Sequence, residues 1–477
     1  MFKQHFNRTK IIATIGPATS SEEMLTQIIE AGVDVCRLNF SHGTYDQHKN
    51  ALDLIRGINQ KYALHTCILC DLQGPKLRIG DVENGLINWE KGDIVTFTSK
   101  KCVGTTNRVY MTYQQFPMDV KIGDKIMVDD GKIELSVTAT NQNDEVTAVV
   151  NYGGPVGSKK GVNLPNTYIS LPSLTEKDLA DLQFALDNDV EWVALSFVRK
   201  PEDIIHLKNI IDERGKKTLV IAKIEKPEAV KNFDAILEQA DGIMIARGDL
   251  GVELAMEELP LIQKIIVKKC MSASKPVIIA TQMMESMILS PKPTRAEAND
   301  VGNAVLDGAD ALMLSAETSV GKYPLQVVQH MERIISRIER DKAPYNVKYS
   351  LNKKSPTFIS DAVCLNAVLM SKEVEADAII SMTKSGYTAF KISSFRPEAN
   401  VFIFSDDPEL LNRINLIWGI RGLYYDKYTT TDQTFKDVIA ILKKSKHLKT
   451  GDFVINTASM PIHERSRTNT LKITVVE

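Results

Sequence analysis

The chain carries almost no net charge. Its 58 Lys and Arg oppose 60 Asp and Glu, leaving −2 over 477 residues, so no global field gathers nucleic acid or anionic lipid, and any anion site has to be local. Long apolar runs are missing too. Nothing approaches the roughly eighteen apolar residues that span a bilayer, and no membrane association is expected. The basic N-terminus, MFKQHFNRTK, runs straight into β-rich sequence, without the apolar stretch and small-residue cleavage site of a signal peptide. Cysteine is scarce. Cys36, Cys67, Cys70, Cys102, Cys270 and Cys364 make no disulfide framework in so long a chain, and most lie in apolar runs that read as buried, which points to a reducing cytoplasm. Cys67 and Cys70 have redox-motif spacing, but in TCILCDL a strand would turn them to opposite faces as small buried hydrophobes. Standard nucleotide and zinc modules are absent: there is no GxxxxGKS/T loop, no kinase glycine loop with HRD and DFG partners, and no HExxH.

What is present is an ordinary globular composition, 43% apolar and 25% charged, in a chain long enough for roughly two to four domains. From Lys10 to about Arg340, short β-rich runs alternate with longer amphipathic segments, the pattern of βα units around a parallel sheet. The runs are KIIATIG, VDVCRLNF, HTCILCDL, WVALSFV, TLVIAKI, GIMIARG, PVIIAT and ALMLS. Eight such strands close a TIM barrel, and their near-continuous apolarity suits strands covered on both faces. About 120 residues separate the third run from the fourth, far more than one crossover needs. Between them, alternating runs such as DIVTFTS, DKIMVDD, KIELSVTAT and EVTAVVNY, broken by Gly, Asn and Asp turns, predict an inserted all-β cap over the barrel mouth. After a charged stretch near Asp341 to Pro356, a helix over Phe358 to Glu373 and strands in DAIISMT, NVFIFSD, GLYYD, DFVINTA and LKITVVE predict a C-terminal α/β domain. The expected boundaries are 1–73 and 173–345 for the barrel, 74–172 for the cap, and 346–477 for the last domain.

Barrel enzymes place reactive groups at the C-terminal ends of their strands, and the residues following these runs are polar. Arg37, Asn39, Ser41 and His42 follow the second; Asp71, Gln73 and Lys76 the third; Lys223 and Glu225 the fifth. Arg247, Gly248 and Asp249 end the sixth, Thr281 and Gln282 the seventh, Glu317 and Thr318 the eighth. Glu225 and Asp249 suit a hard divalent cation such as Mg2+, which is held by one or two carboxylates while substrate and water complete its shell. Arg37, Lys223 and Arg247 would make the mouth fit a phosphate ester that also bears a carboxylate, and Gly248 would let backbone amides approach an oxyanion. The plainer alternative is that the acids only pair with neighbouring bases, Glu225 with Lys223 and Asp249 with Arg247.

The segments TKIIATIGPAT, CRLNFSHGTYDQH, DLQGPKLRIG, KKGVNLP, AKIEKPEA, DGIMIARGDLGVE, ATQMMESM, PTRAEANDVGNAVLDGADALMLSAET and TKSG resemble those of pyruvate kinases, in the family's order and over nearly the whole chain. The resemblance implies transfer of the phosphoryl group of phosphoenolpyruvate to ADP, giving pyruvate and ATP. It implies that Lys223 neutralises the phosphoryl group in flight, that Arg37 grips it, and that Glu225 and Asp249 hold Mg2+, with Mn2+ as an alternative; Gly248 and Asp249 belong to the substrate site. Thr281 would serve the protonation of enolpyruvate through water. Arg78, His42, Asn39 and Lys160 resemble the groups that meet ADP, Lys160 from the cap. Homotetramers meeting through barrel and C-terminal faces are likewise implied.

One departure from the family pattern is informative. Many members hold K+ with groups corresponding to Asn39, Ser41, Asp71 and a threonine, near an acid in the following turn. Here the threonine position is Leu72 and the acid position is Lys76. A tethered ammonium supplies the charge of a bound K+, so K+-independent activity is expected, as in the branch with the DLQGPK pattern. In the C-terminal domain, Thr383, Ser385, Gly386 and Thr388 resemble the family's sugar-phosphate effector loop, and hydroxyls with amides at a helix start suit phosphate; Arg465 and Arg467 could add to it or simply be solvated. Two other classes stay open at this point. A Mg2+-dependent enolate-stabilising lyase or aldolase would not depend on ADP, and a non-catalytic metabolite sensor would not need Lys223, Glu225, Asp249 and Thr281 together.

Overall fold

The computed structural model describes residues 7–165, 167–341, 351–427, 430–460 and 467–477. Eight strands form the central unit: β1 (Lys10–Thr14), β2 (Val33–Asn39), β3 (Cys67–Asp71), β4 (Trp192–Leu195), β5 (Leu219–Ile224), β6 (Gly242–Ala246), β7 (Val277–Ala280) and β8 (Ala311–Leu314). They lie in sequence order in a closed barrel, β8 pairing in parallel with β1. Each of the eight apolar runs supplies one strand. Their alternating residues are apolar on both faces because both faces are covered. Ile12, Val35, Leu69, Ile221, Met244 and Ile278 fill the interior, while Ile11, Cys36, Ile68, Val220, Ile243 and Val277 meet the surrounding helices. Cys67 faces the interior and Cys70 the helical layer, as their odd spacing requires. Cys102, by contrast, is exposed.

The helices obey local rules. Thr294 and Glu297 form a reciprocal capping box that starts Arg295–Asp307, and Gly308 ends it in the left-handed conformation. Pro324–Asp341 buries Val327, Val328, Met331 and Ile335, one stripe at helical spacing.

Between β3 and β4 lies the cap. Its six-stranded sheet has the order Val162–Asn163, Lys125–Val128, Ile133–Thr140, Glu145–Tyr152, Ile94–Thr98, Arg108–Tyr110, and a separate ribbon pairs Leu86–Trp89 with Gly154–Gly157. The four longer strands were legible as alternating runs; the short ones are held by their partners. A short helix, Phe116–Asp119, interrupts the otherwise β-rich unit, and Trp89, Phe97 and Phe116 belong to its core.

The last unit is a five-stranded sheet in the order Ile420–Tyr424, Asn400–Ser405, Ala378–Met382, Phe453–Ala458, Thr470–Val475, with the final strand antiparallel. The helix Phe358–Glu373 lies where the pattern placed it. This unit seals the bottom of the barrel: Leu416 joins the interior apolar cluster, and Trp192 Nε1 donates to the Arg413 carbonyl at 3.0 Å. Arg396, 2% exposed, forms an ion pair with Asp310 at 2.9 Å, and its guanidinium lies 4.8 Å from the Trp418 ring centroid. Among the described residues no helix is long and apolar enough to cross a membrane.

Candidate active site

Strand register brings the polar rim together. Asn39 pairs with Asp71 across β2 and β3, so two polar strand ends emerge side by side at the same height of the mouth. Asp71, 1% exposed, is the hub. Its Oδ2 accepts from Arg37 Nε at 2.7 Å, and its Oδ1 lies 3.2 Å from Lys223 Nζ. Arg37 also donates to Thr14 Oγ1 at 2.9 Å. Lys223 donates to Ser196 Oγ at 2.6 Å and sits 2.9 Å from Glu225 Oε1. Two cations are thus held next to each other, against their mutual repulsion, by buried acids.

The ionisation states follow. Burial lowers the Lys223 ammonium, but Asp71 and Glu225 outweigh it and lift the group above its ordinary value, so it stays protonated. Burial raises Asp71, yet Lys223 and Arg37 prevail and hold it below the ordinary carboxylate value. Glu225 moves the other way: burial dominates, Lys223 opposes it, and the nearby Asp249 charge adds to the upward shift. The second oxygen of Glu225 accepts from the Phe197 N–H at 2.7 Å.

Asp249 lies in the first turn of the helix Arg247–Glu253. The sequence placed Arg247, Gly248 and Asp249 at a strand end; the chain instead turns directly into this helix after β6. Arg247 is also not a free cation of the mouth, because its guanidinium makes two 2.8 Å bonds to Asp300 and a third of 3.0 Å to the Thr281 carbonyl. Asp249 therefore has a different environment from the pairing with Arg247 considered above, whereas Glu225 does pair with Lys223. Gly248 N–H donates to Thr281 Oγ1 at 2.7 Å, and that hydroxyl donates to the Ala280 carbonyl at 2.6 Å. Thr281 has a φ of 69°, a costly left-handed conformation for a β-branched residue.

Glu225 and Asp249 are the acids available to a divalent cation. Among the described residues no group of three or more His, Cys, Asp or Glu forms a closed cage; Mg2+ is commonly held by only one or two carboxylates, with substrate and water completing its shell. Asp249 lines a narrow solvent-open cleft between the barrel, with Phe197 and Lys226, and the cap, with Leu77, Val162 and Asn163.

Burial lowers the His42 imidazole, and the charges of Arg78, Lys76 and Arg37 add to the shift; Lys76 also lines the cleft that Asp249 faces. Arg78 donates to the Lys159 carbonyl at 3.0 Å, and Lys160 pairs with Asp129 at 2.8 Å within the cap. Asn39 Oδ1 accepts from the Ser41 N–H at 3.1 Å. Leu72 is 1% exposed and offers only its backbone, whose carbonyl accepts from Ser196 Oγ at 2.7 Å. Far from the mouth, Thr383 Oγ1 and Ser385 Oγ accept from the Gly386 and Tyr387 amides, Gly386 caps the helix Tyr387–Ser394 with φ 83°, and Thr388 is buried. Arg467 donates to the Pro356 carbonyl, and Arg465 lies outside the described residues.

Thr14, Ser196 and Phe197 went unnoticed in the sequence. The polar residues at the ends of β1 and β4 sit inside the apolar runs KIIATIG and WVALSFV, where nothing local marks them as rim residues.

Comparison with known proteins accords with this geometry. A family model described as pyruvate kinase, barrel domain, matches residues 6–328, and one described as pyruvate kinase, alpha/beta domain, matches residues 361–474. A pyruvate kinase of Mycobacterium tuberculosis is 42% identical over 466 residues, covering 98% of each chain. One from Geobacillus stearothermophilus is 39% identical over 471 residues, 98% of this chain and 80% of that one. The crystal structure of a pyruvate kinase from Cryptosporidium parvum aligns with a TM-score of 0.90 and 32% identity, over 99% of this chain and 96% of that one. Matched in order by both family domains and alike to such relatives almost end to end, this chain belongs to the pyruvate kinase family.

Proposed function

We propose that the chain transfers the phosphoryl group of phosphoenolpyruvate to ADP, giving pyruvate and ATP. The observation that carries this reading is the pair of cations, Arg37 and Lys223, held together by Asp71 beside Glu225. Phosphoryl transfer needs charge stabilisation on a loose transition state more than it needs a covalent nucleophile.

In this reading Arg37 binds the phosphoryl oxygens, and Lys223 stays close to them as they move between donor and acceptor. Glu225 and Asp249 would hold Mg2+, or Mn2+ in its place, which when bound supplies Lewis-acid charge to substrate oxygens. Gly248 and Asp249 border the substrate on the side of the helix Arg247–Glu253. Once the phosphoryl group has left, enolpyruvate takes a proton at its methylene carbon, and the Thr281 hydroxyl, oriented by Gly248 and Ala280, directs the water that supplies it. His42 and Asn39 from the barrel, with Arg78 and Lys160 from the cap, receive ADP.

Lys76 takes the place of a monovalent cation. Its support is the effect of its charge on His42 together with the aliphatic Leu72 at the ligand position; Asn39, Ser41 and Asp71 remain as the other members of that site. The Thr383, Ser385, Gly386 and Thr388 turn is the candidate site for a phosphorylated effector. A homotetramer and a cytoplasmic location complete the reading.

The test is pyruvate formation from phosphoenolpyruvate with ADP, Mg2+ and K+ each present or omitted. Pyruvate should require ADP and Mg2+ but not K+. Pyruvate formed equally well without ADP would replace a phosphotransferase with a lyase or phosphatase, and none under any condition would remove the catalytic reading.

A further inference from the structure

Glu253 stands at the end of the helix Arg247–Glu253 and is 4% exposed. A single oxygen of it, Oε1, accepts from Lys226 Nζ at 2.6 Å and from Asn163 Nδ2 at 2.9 Å. Lys226 is 6% exposed and follows Glu225 directly. Asn163 belongs to the cap strand Val162–Asn163. Two donors of different origin, a lysine from the barrel and an amide from the cap, therefore converge on the same buried carboxylate. A buried ion pair is tolerated only where further hydrogen bonds satisfy its remaining capacity, and here the cap supplies one of them. Lifting the cap would break the Asn163 bond and leave Glu253 with Lys226 alone, facing the cleft.

The connection continues inward. Lys226 Nζ lies 6.0 Å from the Phe197 ring centroid, a distance at which an ammonium is attracted to an aromatic face. Phe197 is held at φ 55°, and its N–H donates to Glu225 Oε2. Gly74 packs behind it: a Cβ there would meet Phe197 Cδ2 at 2.8 Å. Lys160, the cap lysine of the nucleotide side, lies three residues before Asn163.

We propose that Asn163, Glu253 and Lys226 form a latch that positions the closed cap and registers its closure at Glu225. Asn163 and Lys226 are positioning residues: they touch neither reacting group but set where Lys160 stands over the mouth and how Phe197 presents its amide to Glu225. The proposal rests on the phosphotransfer reading. Its signature is selective, because ADP is the substrate that needs the cap.

The experiment uses the full-length chain with Asn163→Ala, Asn163→Asp, Lys226→Arg and Lys226→Met. Steady-state kinetics for each substrate are combined with hydrogen exchange of the backbone amides of residues 160–164 and 250–254. Loss of one charge-assisted hydrogen bond should raise the KM for ADP about tenfold in Asn163→Ala while the KM for phosphoenolpyruvate changes by less than about twofold. Asn163→Asp, which sets a carboxylate against Glu253, should have the larger effect and the faster exchange. Lys226→Arg should keep the ADP KM and Lys226→Met should not. Unchanged ADP KM and exchange in Asn163→Asp, or equal rises of both KM values, would overturn the latch. If Lys226→Met does not fold, the two Asn163 variants decide the matter. If the wild type makes no pyruvate, the functional reading fails, and the exchange measurement, which needs no turnover, still judges the latch.

Discussion

Asp71 binds Arg37 at 2.7 Å through one carboxylate oxygen and faces Lys223 at 3.2 Å through the other. Removing that charge leaves two cations at the mouth with less to hold them together. Asp71→Asn should cost about 3 kcal/mol of stability, as breaking a buried pair does, measured by denaturant unfolding. It should also lower kcat/KM by about 100-fold or more, because preorganised charge is lost. Full activity in a folded Asp71→Asn protein would remove Asp71 as the organiser of the pair.

Glu225 ties cation binding to pH. Its carboxyl is raised above the ordinary 4.5, chiefly by burial, so in the substrate-free protein a proton competes for it at a pH higher than for a free glutamate. Mg2+ affinity measured by calorimetry should therefore begin to weaken, as pH falls, above 4.5, and Glu225→Gln should bind the cation far more weakly at neutral pH. The two neighbouring acids contribute to stability with opposite signs. Asp71 is depressed below 3.8, so its contribution is present above that value and is lost as pH falls through its lower native one. Glu225 is raised, so the native state binds more protons between 4.5 and its native value, and stability falls as pH rises through that window.

Lys76 provides the test of the monovalent cation. Assayed in sodium- and potassium-free buffer, the wild type should run at full rate, and added KCl should change little. Lys76→Glu should fall in activity and recover on adding K+, because a mobile cation then replaces the tethered one. Strong K+ activation of the wild type would contradict the assignment.

Lys10 is fully buried between barrel and C-terminal unit, where its ammonium donates to the Ile420 carbonyl at 3.0 Å and to Asp34 Oδ1 at 3.3 Å. Burial lowers its pKa from 10.5 to about 8, against the opposing pull of Asp34. Between those values the unfolded chain binds the extra proton and the native one does not, so this group's contribution to stability rises with pH across the window. Thermal unfolding of the wild type compared with Lys10→Met, from pH 7 to 10, should show that relative gain in the wild type. Parallel stability curves would refute it.

Much of the fold was legible because barrel strands are apolar on both faces, and eight such runs can be counted without knowing what they touch. The cap's long strands were equally visible through their alternation. The two-residue strand Val162–Asn163 was not, since so short a segment carries no period of its own and is defined by its pairing with Lys125–Val128. At the mouth, motif and position picked out Lys223, Glu225, Asp249 and Thr281. Arg247 was misplaced among the free cations, because nothing local to RGD reveals that Asp300, 53 residues later, takes its guanidinium. Ser196 and Phe197 hid inside the run WVALSFV, where a serine beside a phenylalanine looks like the end of a core strand.

Local chemistry decided which segments become strands, where helices start and stop, and which polar groups stand at the rim, because burial pattern and capping act over a few residues. Closure of the barrel decided the rest. Asp71 reaches Lys223 across about 150 positions of chain, and Glu253 receives a lysine and an asparagine from two different units. Such partnerships arise from strand register and domain docking, which fix distances between residues whose separation along the chain carries no information about them.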